Sequence, residues 1–208
     1  MPINRVLTDV DRELLQPVCD RMREYWPELY SRKIDRSMVQ YAFCYDIVDK
    51  LSSMDDYTSV LAIGAQECIA SECLKMDGYA VLSIDPIFNC DLHTFFVRTR
   101  RQFDFVLAAS VLEHVEDVEQ FVSDACHSLD SGGYGVFTLD FQNEYQVGDR
   151  LPYTDLRFFT AEDLSVTLRD VLKANGCDLV DEPDYSGADT FSYDGCVYSF
   201  ATFVFKKG

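Results

Sequence analysis

From residue 58 onward, short apolar stretches alternate with amphipathic ones, and this alternation constrains the fold more than any other feature. SVLAIG predicts a strand, the stretch from about 67 to 77 predicts a helix, and YAVLSID predicts a second strand. FDFVLAAS is apolar throughout, as is typical of a strand buried on both faces. Strands that alternate with helices imply a mostly parallel sheet with helices on both faces.

The alternation continues to the last residues. A helix is predicted over 116–129, a strand over YGVFTLDF, and a helix over 161–174 that starts at a Thr160–Asp163 capping box. A strand near 177–182 and the long strand CVYSFATFVF follow, and no helix fits between them. We therefore expect these two strands to pair antiparallel. The short stretch 87–92 is a candidate for a further strand.

The segment before residue 58 has a different pattern. Apolar residues at helical spacing predict helices over 9–26, where Pro17 is expected to kink or split the helix, and over about 36–53. The predicted organisation is an N-terminal helical extension or lid over 1–57 and an α/β domain over 58–208.

Composition narrows the class of partner. Eighteen basic and thirty-six acidic residues give a net charge of −18, whereas nucleic-acid-binding proteins usually present a basic surface. The eight cysteines form no CxxC pair and mostly lie in apolar stretches, so we expect free thiols in a reducing compartment and no metal site. We therefore expect a cytoplasmic protein that binds neither nucleic acid nor membrane, and the sequence leaves its oligomeric state open.

Ligands of such sheets bind at the carboxyl ends of the strands, which directs attention to the loops that follow them. Gly64 ends the first strand and allows a sharp turn. Asp85 ends the second strand about twenty residues later, where a carboxylate can accept both hydroxyls of a ribose. The alternative is that Asp85 is only a turn residue before Pro86.

The sequence resembles the class I S-adenosylmethionine-dependent methyltransferases of small molecules. The resemblance is carried by VLAIGAQECIASECLKMDGYAVLSIDP, by FDFVLAASVLEHVEDVEQFVSDACHSLDSGGYGVFTLDF and by RFFTAEDL, and it covers about residues 58–206. It implies a Rossmann-like α/β fold with a seven-stranded, mostly parallel sheet, an antiparallel last strand and helices on both faces.

The resemblance also implies a cofactor, S-adenosylmethionine, and positions for it. Gly64 would lie under its methionine part, Asp85 would hold the ribose, and Asp91 and Leu92 would flank the adenine. The predicted cofactor-binding residues are Gly64, Ala65, Glu67, Asp85, Asp91, Leu92, Ser110 and Val111. Glu67 has two interpretations, a ligand for the cofactor's ammonium group or an acidic residue that faces a helix dipole.

Methyl transfer needs an aligned acceptor and, for an oxygen acceptor, a base. His114, with Glu113 beside it, is the candidate, although the pair could instead cap the next helix. Tyr145, Tyr153 and Arg157 are candidates for binding the substrate, for which a sugar or metabolite hydroxyl is preferred. The segment 140–145, the loop to Arg157, the tail loop 184–195 and the N-terminal helices are expected to surround the acceptor.

Two other functions stay open. The family usually has an acidic residue where Ala62 stands and further glycines where Gln66 and Cys68 stand. These differences favour, as an alternative, a methyltransferase-like protein that binds or assembles without catalysis. A nicotinamide-dependent oxidoreductase is the weaker third hypothesis, because its fingerprint requires the glycines that this loop lacks.

Overall fold

The protein, in a computed structural model that describes residues 1–52, 58–188 and 190–208, is built around one mixed sheet. Within these residues the sheet has eight strands. They are β1 (Val6–Leu7), β2 (Ser59–Ile63), β3 (Ala80–Ile84), β4 (Phe103–Ala109), β5 (Leu129–Phe141), β6 (Cys177–Leu179), β7 (Phe191–Tyr193) and β8 (Cys196–Lys207). The α-helices are α1 (Asp9–Leu14), α2 (Gln16–Tyr25), α3 (Pro27–Ser31), α4 (Met38–Leu51), α5 (Ile69–Met76), α6 (Leu92–Thr99), α7 (Val118–His127) and α8 (Leu168–Ala174).

The order of the strands is β1-β8-β5-β4-β2-β3, with β6 and β7 also paired to β8. Strands β3, β2, β4 and β5 are mutually parallel, whereas β8 runs antiparallel to β5, β6 and β1. The predicted fold class, a mostly parallel sheet with an antiparallel last strand, is therefore confirmed. The antiparallel pairing of 177–179 with the last strand was also predicted correctly.

Helices cover both faces of the sheet because the central strands are apolar on both sides. Val60 and Ala62 of β2 belong to the core that contains residues of α2, α4 and α5. Leu61 and Ile63 point the other way and belong to the core that contains residues of α6, α7 and α8. This alternation of period two within a wholly apolar strand is what a strand buried on both faces requires.

The candidate strand at 87–92 is not a strand. Residues 86–89 form a turn, and α6 begins at Leu92. The Asn89 side chain closes this turn, because it accepts a hydrogen bond from the Asp85 backbone N–H and donates one to the Ser83 carbonyl. The sheet has eight strands rather than the expected seven, because the candidate strand at 87–92 is absent from the described residues and two strands that were not predicted, β1 and β7, are present.

The N-terminal segment is helical as predicted but is also part of the sheet. The predicted helix 9–26 is divided at Leu15 into α1 and α2, and Pro17 lies in the first turn of α2. Before it, β1 pairs with β8. The predicted helix 36–53 is represented by a short 3₁₀ turn (Asp35–Ser37) and α4, while its expected end at residue 53 and the proposed boundary at 57 fall outside the described residues.

No helix within the described ranges combines the length and the apolar composition that crossing a membrane requires.

Candidate active site

A cavity of about 730 Å³ lies at the carboxyl ends of β2, β3 and β4. This is the edge at which open parallel sheets bind their ligands, and the volume lies within the range of about 300–1,000 Å³ usual for such sites. Six of the eight predicted cofactor residues line it: Gly64, Asp85, Asp91, Leu92, Ser110 and Val111.

Gly64 makes the turn from β2 into the cavity. Its φ is +62°, a conformation that side chains disfavour. A Cβ placed on Gly64 would stand 2.5 Å from Cγ2 of Val111. Glycine is therefore required here for two reasons, the backbone conformation and the close approach of the loop after β4.

Asp85 is 5% exposed and lines the same cavity. Its Oδ2 accepts a hydrogen bond from the Gln66 backbone N–H (3.0 Å) and its Oδ1 accepts one from the Ile87 backbone N–H (2.9 Å). A carboxylate oxygen has two lone pairs, so each oxygen retains one for a ligand. Asp85 thus organises the turn before Pro86 and also lines the cavity, so its part in the turn does not exclude the predicted contact with a ribose.

The far end of the cavity, where the adenine was expected, is formed by the start of α6. Leu92 contributes an apolar wall. Asp91 is the N-cap of α6, since its Oδ1 accepts from the Thr94 N–H and its Oδ2 from the Thr94 hydroxyl. These hydrogen bonds lower the pKa of Asp91, and the one from the Thr94 backbone N–H has the largest effect.

The two remaining predicted cofactor residues, Ala65 and Glu67, do not line the cavity. The Ala65 N–H bonds to the Ile84 carbonyl. Glu67 lies before α5 with φ +58°, and its carboxylate faces Arg32 (3.3 Å) and Lys33 (3.6 Å). The predicted start of the helix at residue 67 is wrong, because α5 begins at Ile69 and Glu67 precedes it. Lys33, which the sequence analysis did not single out, does line the cavity.

A second cavity of about 220 Å³ adjoins the first. Four residues line both cavities, so the two spaces lie side by side; two of the four, Ser110 and His114, follow β4, and the others are Tyr41 and Thr154. Aromatic side chains from the N-terminal segment, the 150s loop and the tail supply much of its wall: Tyr41, Tyr153, Phe191, Tyr193, Tyr198 and Phe200.

Glu113 lies at the junction of the cavities and is fully buried. Its Oε1 accepts a hydrogen bond from the Ser110 hydroxyl (2.6 Å), and Ser110 itself adopts the left-handed conformation, with φ +57°. Burial raises the pKa of Glu113 to about 7, while His114 and the Ser110 hydrogen bond oppose the rise. A carboxyl group with such a pKa can take or give a proton near neutrality.

His114 lies beside Glu113 and lines both cavities. Its Nδ1 is 3.3 Å from the Thr154 carbonyl oxygen and 3.3 Å from Oδ1 of Asp155. The interpretation that Glu113 and His114 cap the next helix is wrong, because Asp117 is the N-cap of α7 and accepts the Gln120 N–H. Residues 112–114 form a separate 3₁₀ turn.

Asp140, at the end of β5, and Asp155 complete an acidic group with Glu113 on the second cavity. Burial, then the charges of Glu113 and Asp155, raises the pKa of Asp140 well above its usual range. Burial also raises the pKa of Asp155, and the nearby His114 opposes this. Each carboxyl group thus makes its neighbours harder to ionise.

Of the three predicted substrate residues, the structure brings one to the second cavity. Tyr153 lines its mouth and is mostly exposed. Tyr145 instead packs edge-on against Phe158, and the Arg157 guanidinium donates to the Glu116 carbonyl; neither lines either cavity.

Sequence reasoning missed Lys33, Gln40, Tyr41, Asp140, Asp155 and Tyr198. Asp140 is the residue that the sequence could best have indicated. It ends an apolar strand at the edge where ligands bind, and it belongs to the segment 140–145 that was expected near the acceptor. The others reach the site only through the packing of distant segments, so no local pattern marks them.

Comparisons with known proteins agree with this geometry. A family model described as a methyltransferase domain matches residues 87–137. No curated protein matches the sequence. The 1,6-didemethyltoxoflavin-N1-methyltransferase of Burkholderia thailandensis, solved with 1,6-didemethyltoxoflavin and S-adenosylhomocysteine, superposes with a TM-score of 0.55. That match covers 95% of this chain and 87% of the other, at 13% identity.

Two further solved structures are similar. A TehB-like S-adenosylmethionine-dependent methyltransferase from Corynebacterium glutamicum gives a TM-score of 0.55, with 93% of this chain and 100% of the other covered at 16% identity. The [4+2]-cyclase SpnF superposes with a TM-score of 0.51, and that match covers 78% of this chain and 79% of the other at 16% identity. Together with the family match, these structures confirm the fold predicted from the sequence, which is that of the class I S-adenosylmethionine-dependent methyltransferases.

Proposed function

We propose that the protein transfers a methyl group from S-adenosylmethionine to a small polar acceptor. The observation that carries the proposal is the junction of the two cavities. A cofactor-sized space on the glycine turn shares Ser110 and His114 with an adjoining, smaller space that is walled by carboxyl and aromatic groups. The methyltransferase family match and the fold support the same activity.

The residues of the larger cavity suit such a cofactor. The free lone pairs of Asp85 are available to the ribose hydroxyls, and Leu92 offers an apolar surface to the adenine. At the other end, the Lys33 ammonium group, which faces Glu67 at 3.6 Å, would exchange that partner for the cofactor's carboxylate. Ala62 is buried in the core and lines neither cavity, so the methionine end depends on Lys33 and the loop at Gln66.

The protein's own contribution is mainly alignment. S-adenosylmethionine, when bound, supplies a methyl group on a sulfonium that is already a good leaving group. Holding an acceptor at the junction, in line with that bond, removes most of the entropic cost of the reaction. Glu113 is placed to take the acceptor's proton, and His114, which is partly exposed, is placed to pass it towards solvent.

Calorimetry with S-adenosylmethionine and S-adenosylhomocysteine tests the proposal. We expect both to bind, and Asp85→Ala to weaken binding by at least about a hundredfold, because two charge-assisted hydrogen bonds are lost. Asp170→Ala, at an exposed position of α8, is the matched control and should bind normally. Absence of binding to a correctly folded wild-type protein would remove the basis of the proposal.

A protein that binds the cofactor without catalysis is the second candidate, and the alanine at position 62 favours it. SpnF, which has a similar fold, is described as a [4+2]-cyclase, so proteins with this fold carry out more than one kind of reaction. Incubation with S-adenosylmethionine and a pool of small metabolites, followed by measurement of S-adenosylhomocysteine, separates the two. Tight binding without any S-adenosylhomocysteine formed would favour the binding protein.

A further inference from the structure

The smaller cavity is lined by three carboxyl groups that come from different parts of the chain. Glu113 follows β4, Asp140 ends β5, and Asp155 belongs to the loop that follows. Their exposed fractions are 0% for Glu113 and 5% for Asp140, and 6% for the side chain of Asp155. Burying three acidic groups around one space is costly unless something pairs with them.

Each of these groups has an oxygen atom without a hydrogen-bond partner among the described residues: Oε2 of Glu113, Oδ1 of Asp140 and Oδ2 of Asp155. Gln40 of α4 adds an independent observation. It is 2% exposed, lines the same cavity, and its Oε1 also lacks a partner within the described chain. When the three carboxyl groups are ionised, all four unpartnered atoms are acceptors, so a ligand that satisfies them in that state must bring several hydrogen-bond donors.

The rest of the wall suits a cation. Six aromatic side chains line the cavity, and the electron-rich faces of tyrosine and phenylalanine attract an ammonium group. Lys33 lines only the neighbouring cavity, although its ammonium group lies 5.2 Å from the centre of the Tyr41 ring. The basic side chain on this cavity is His114, which faces Asp155, so Glu113 and Asp140 remain for a ligand's cation. Carboxyl groups and aromatic rings together form the usual environment for an amine.

We propose that the methyl acceptor is a small amine, which binds as an ammonium ion between Glu113, Asp140 and Gln40. This inference rests on the proposed methyl transfer, and it replaces the hydroxyl acceptor expected from the sequence. The volume of about 220 Å³ equals that of about seven water molecules, so the part of the ligand that enters is small.

The reaction balances with the groups present. The ammonium ion first gives one proton to the Glu113 carboxylate and becomes a neutral amine. The nitrogen lone pair then forms the new N–C bond to the methyl group, while the pair of the C–S bond leaves with sulfur. The sulfonium becomes the neutral thioether of S-adenosylhomocysteine, the product is a methylated ammonium ion, and the proton on Glu113 passes to solvent.

The test begins with S-adenosylhomocysteine, because its binding checks the proposed function separately. The protein saturated with it is then titrated by calorimetry with butylamine, with 1-butanol as the neutral analogue of matched size, and with magnesium chloride. We expect butylamine to bind at least about tenfold more tightly than 1-butanol. No three acidic, cysteine or histidine residues in the described ranges are grouped to hold a metal, so magnesium should not compete.

Asp140→Asn and Gln40→Leu should each weaken butylamine at least about tenfold without changing the affinity for S-adenosylhomocysteine. Asp170→Asn is the exposed control. Equal binding of butylamine and 1-butanol, binding unaffected by both variants, or displacement of butylamine by magnesium would each overturn the amine proposal and leave the cofactor proposal standing. Failure of S-adenosylhomocysteine itself to bind would count against both.

Discussion

The two adjoining cavities are built in opposite ways. Most residues of the larger cavity come from two continuous stretches of the chain, 63–93 and 109–124, where strands end and turns begin. The backbone conformation of these turns determines much of the cavity's shape. The smaller cavity collects side chains from residues near 37–41, 110–114, 140, 152–155 and 191–200. The larger cavity is thus formed mainly by local strand–turn–helix units, whereas the smaller cavity exists only once distant segments of the chain have packed together.

Their electrostatics differ as well. In the larger cavity the carboxylates of Asp85 and Asp91 accept hydrogen bonds from backbone N–H groups. In the smaller cavity Glu113 and Asp140 have unpartnered oxygens and raised pKa values. The larger cavity is therefore organised before any ligand binds, whereas the smaller one gains most from the ligand's own charge. Four changes test this contrast.

The largest effect is expected at Gly64. Gly64→Ala should lower the free energy of unfolding by about 2–4 kcal/mol, since it combines a disfavoured φ with a clash against Val111. Gly148→Ala is the matched control, because Gly148 also has a positive φ but no atom within 4 Å of an added Cβ. Urea denaturation of both variants measures the difference, and equal losses would show that the approach of Val111 does not matter.

Glu113→Gln should change how stability depends on pH. The pKa of Glu113 rises from 4.5 to about 7, so the folded wild type holds an extra proton between these values and loses stability as the pH rises through them. The variant lacks this loss, so its free energy of unfolding relative to that of the wild type should rise by about 3 kcal/mol as the pH increases across that window. The titratable groups that share the cavity are His114, Tyr41, Asp140, Asp155, Tyr153, Tyr193 and Tyr198.

Denaturation curves at a series of pH values measure this effect, with Glu119→Gln on the exposed surface of α7 as the control. A variant whose stability runs parallel to that of the wild type from acid to neutral pH would contradict the raised pKa of Glu113.

A smaller effect is expected at Lys33. Lys33→Ala should weaken S-adenosylhomocysteine about tenfold, because one ion pair to the cofactor's carboxylate is lost at a partly exposed site. Its affinity for 5′-methylthioadenosine, which has no carboxylate, should stay unchanged. Lys50→Ala, remote from the cavity, serves as the control. An equal loss of affinity for both nucleosides would show that Lys33 does not act through the cofactor's carboxylate.

The smallest effect is expected at Tyr153, which lies at the mouth of the smaller cavity. Its side chain is mostly exposed, so Tyr153→Phe should change butylamine binding by less than about twofold. Tyr198→Phe, at a buried wall of the same cavity, is the comparison. Calorimetry with butylamine measures both, and a larger effect at Tyr153 would reverse the expected order.

The residues of the larger cavity could mostly be predicted from the sequence, whereas most of those of the smaller cavity could not. The strands β2, β3, β4, β5 and β8 were predicted because each is an apolar run with clear ends, and Gly64, Asp85 and Ser110 were found because they follow such runs directly. Gln40 and Asp155 lie 115 positions apart on one cavity. Nothing in their local sequence distinguishes them from ordinary polar residues, and only tertiary packing brings them together.

Two errors also have physical causes. The apolar residues around 87–92 suggested a strand, but the side chain of Asn89 closes a turn there and Asp91 starts a helix. β1 is only two residues long, too short for any periodicity to appear. It depends on pairing with β8 rather than on its own propensity.

The pairing of β1 with β8 has a consequence for the order of assembly. The Asn4 side chain donates to the Val204 carbonyl across 200 positions of the chain. During synthesis at about 5–20 residues per second, β1 must wait about 10–40 s for its partner strand. Helix α4, in contrast, packs against α5, β4 and β5, which are all synthesised before β8. A nascent chain should thus form most of the larger cavity first and the smaller cavity last, because the wall of the smaller one includes side chains from residues 191–200.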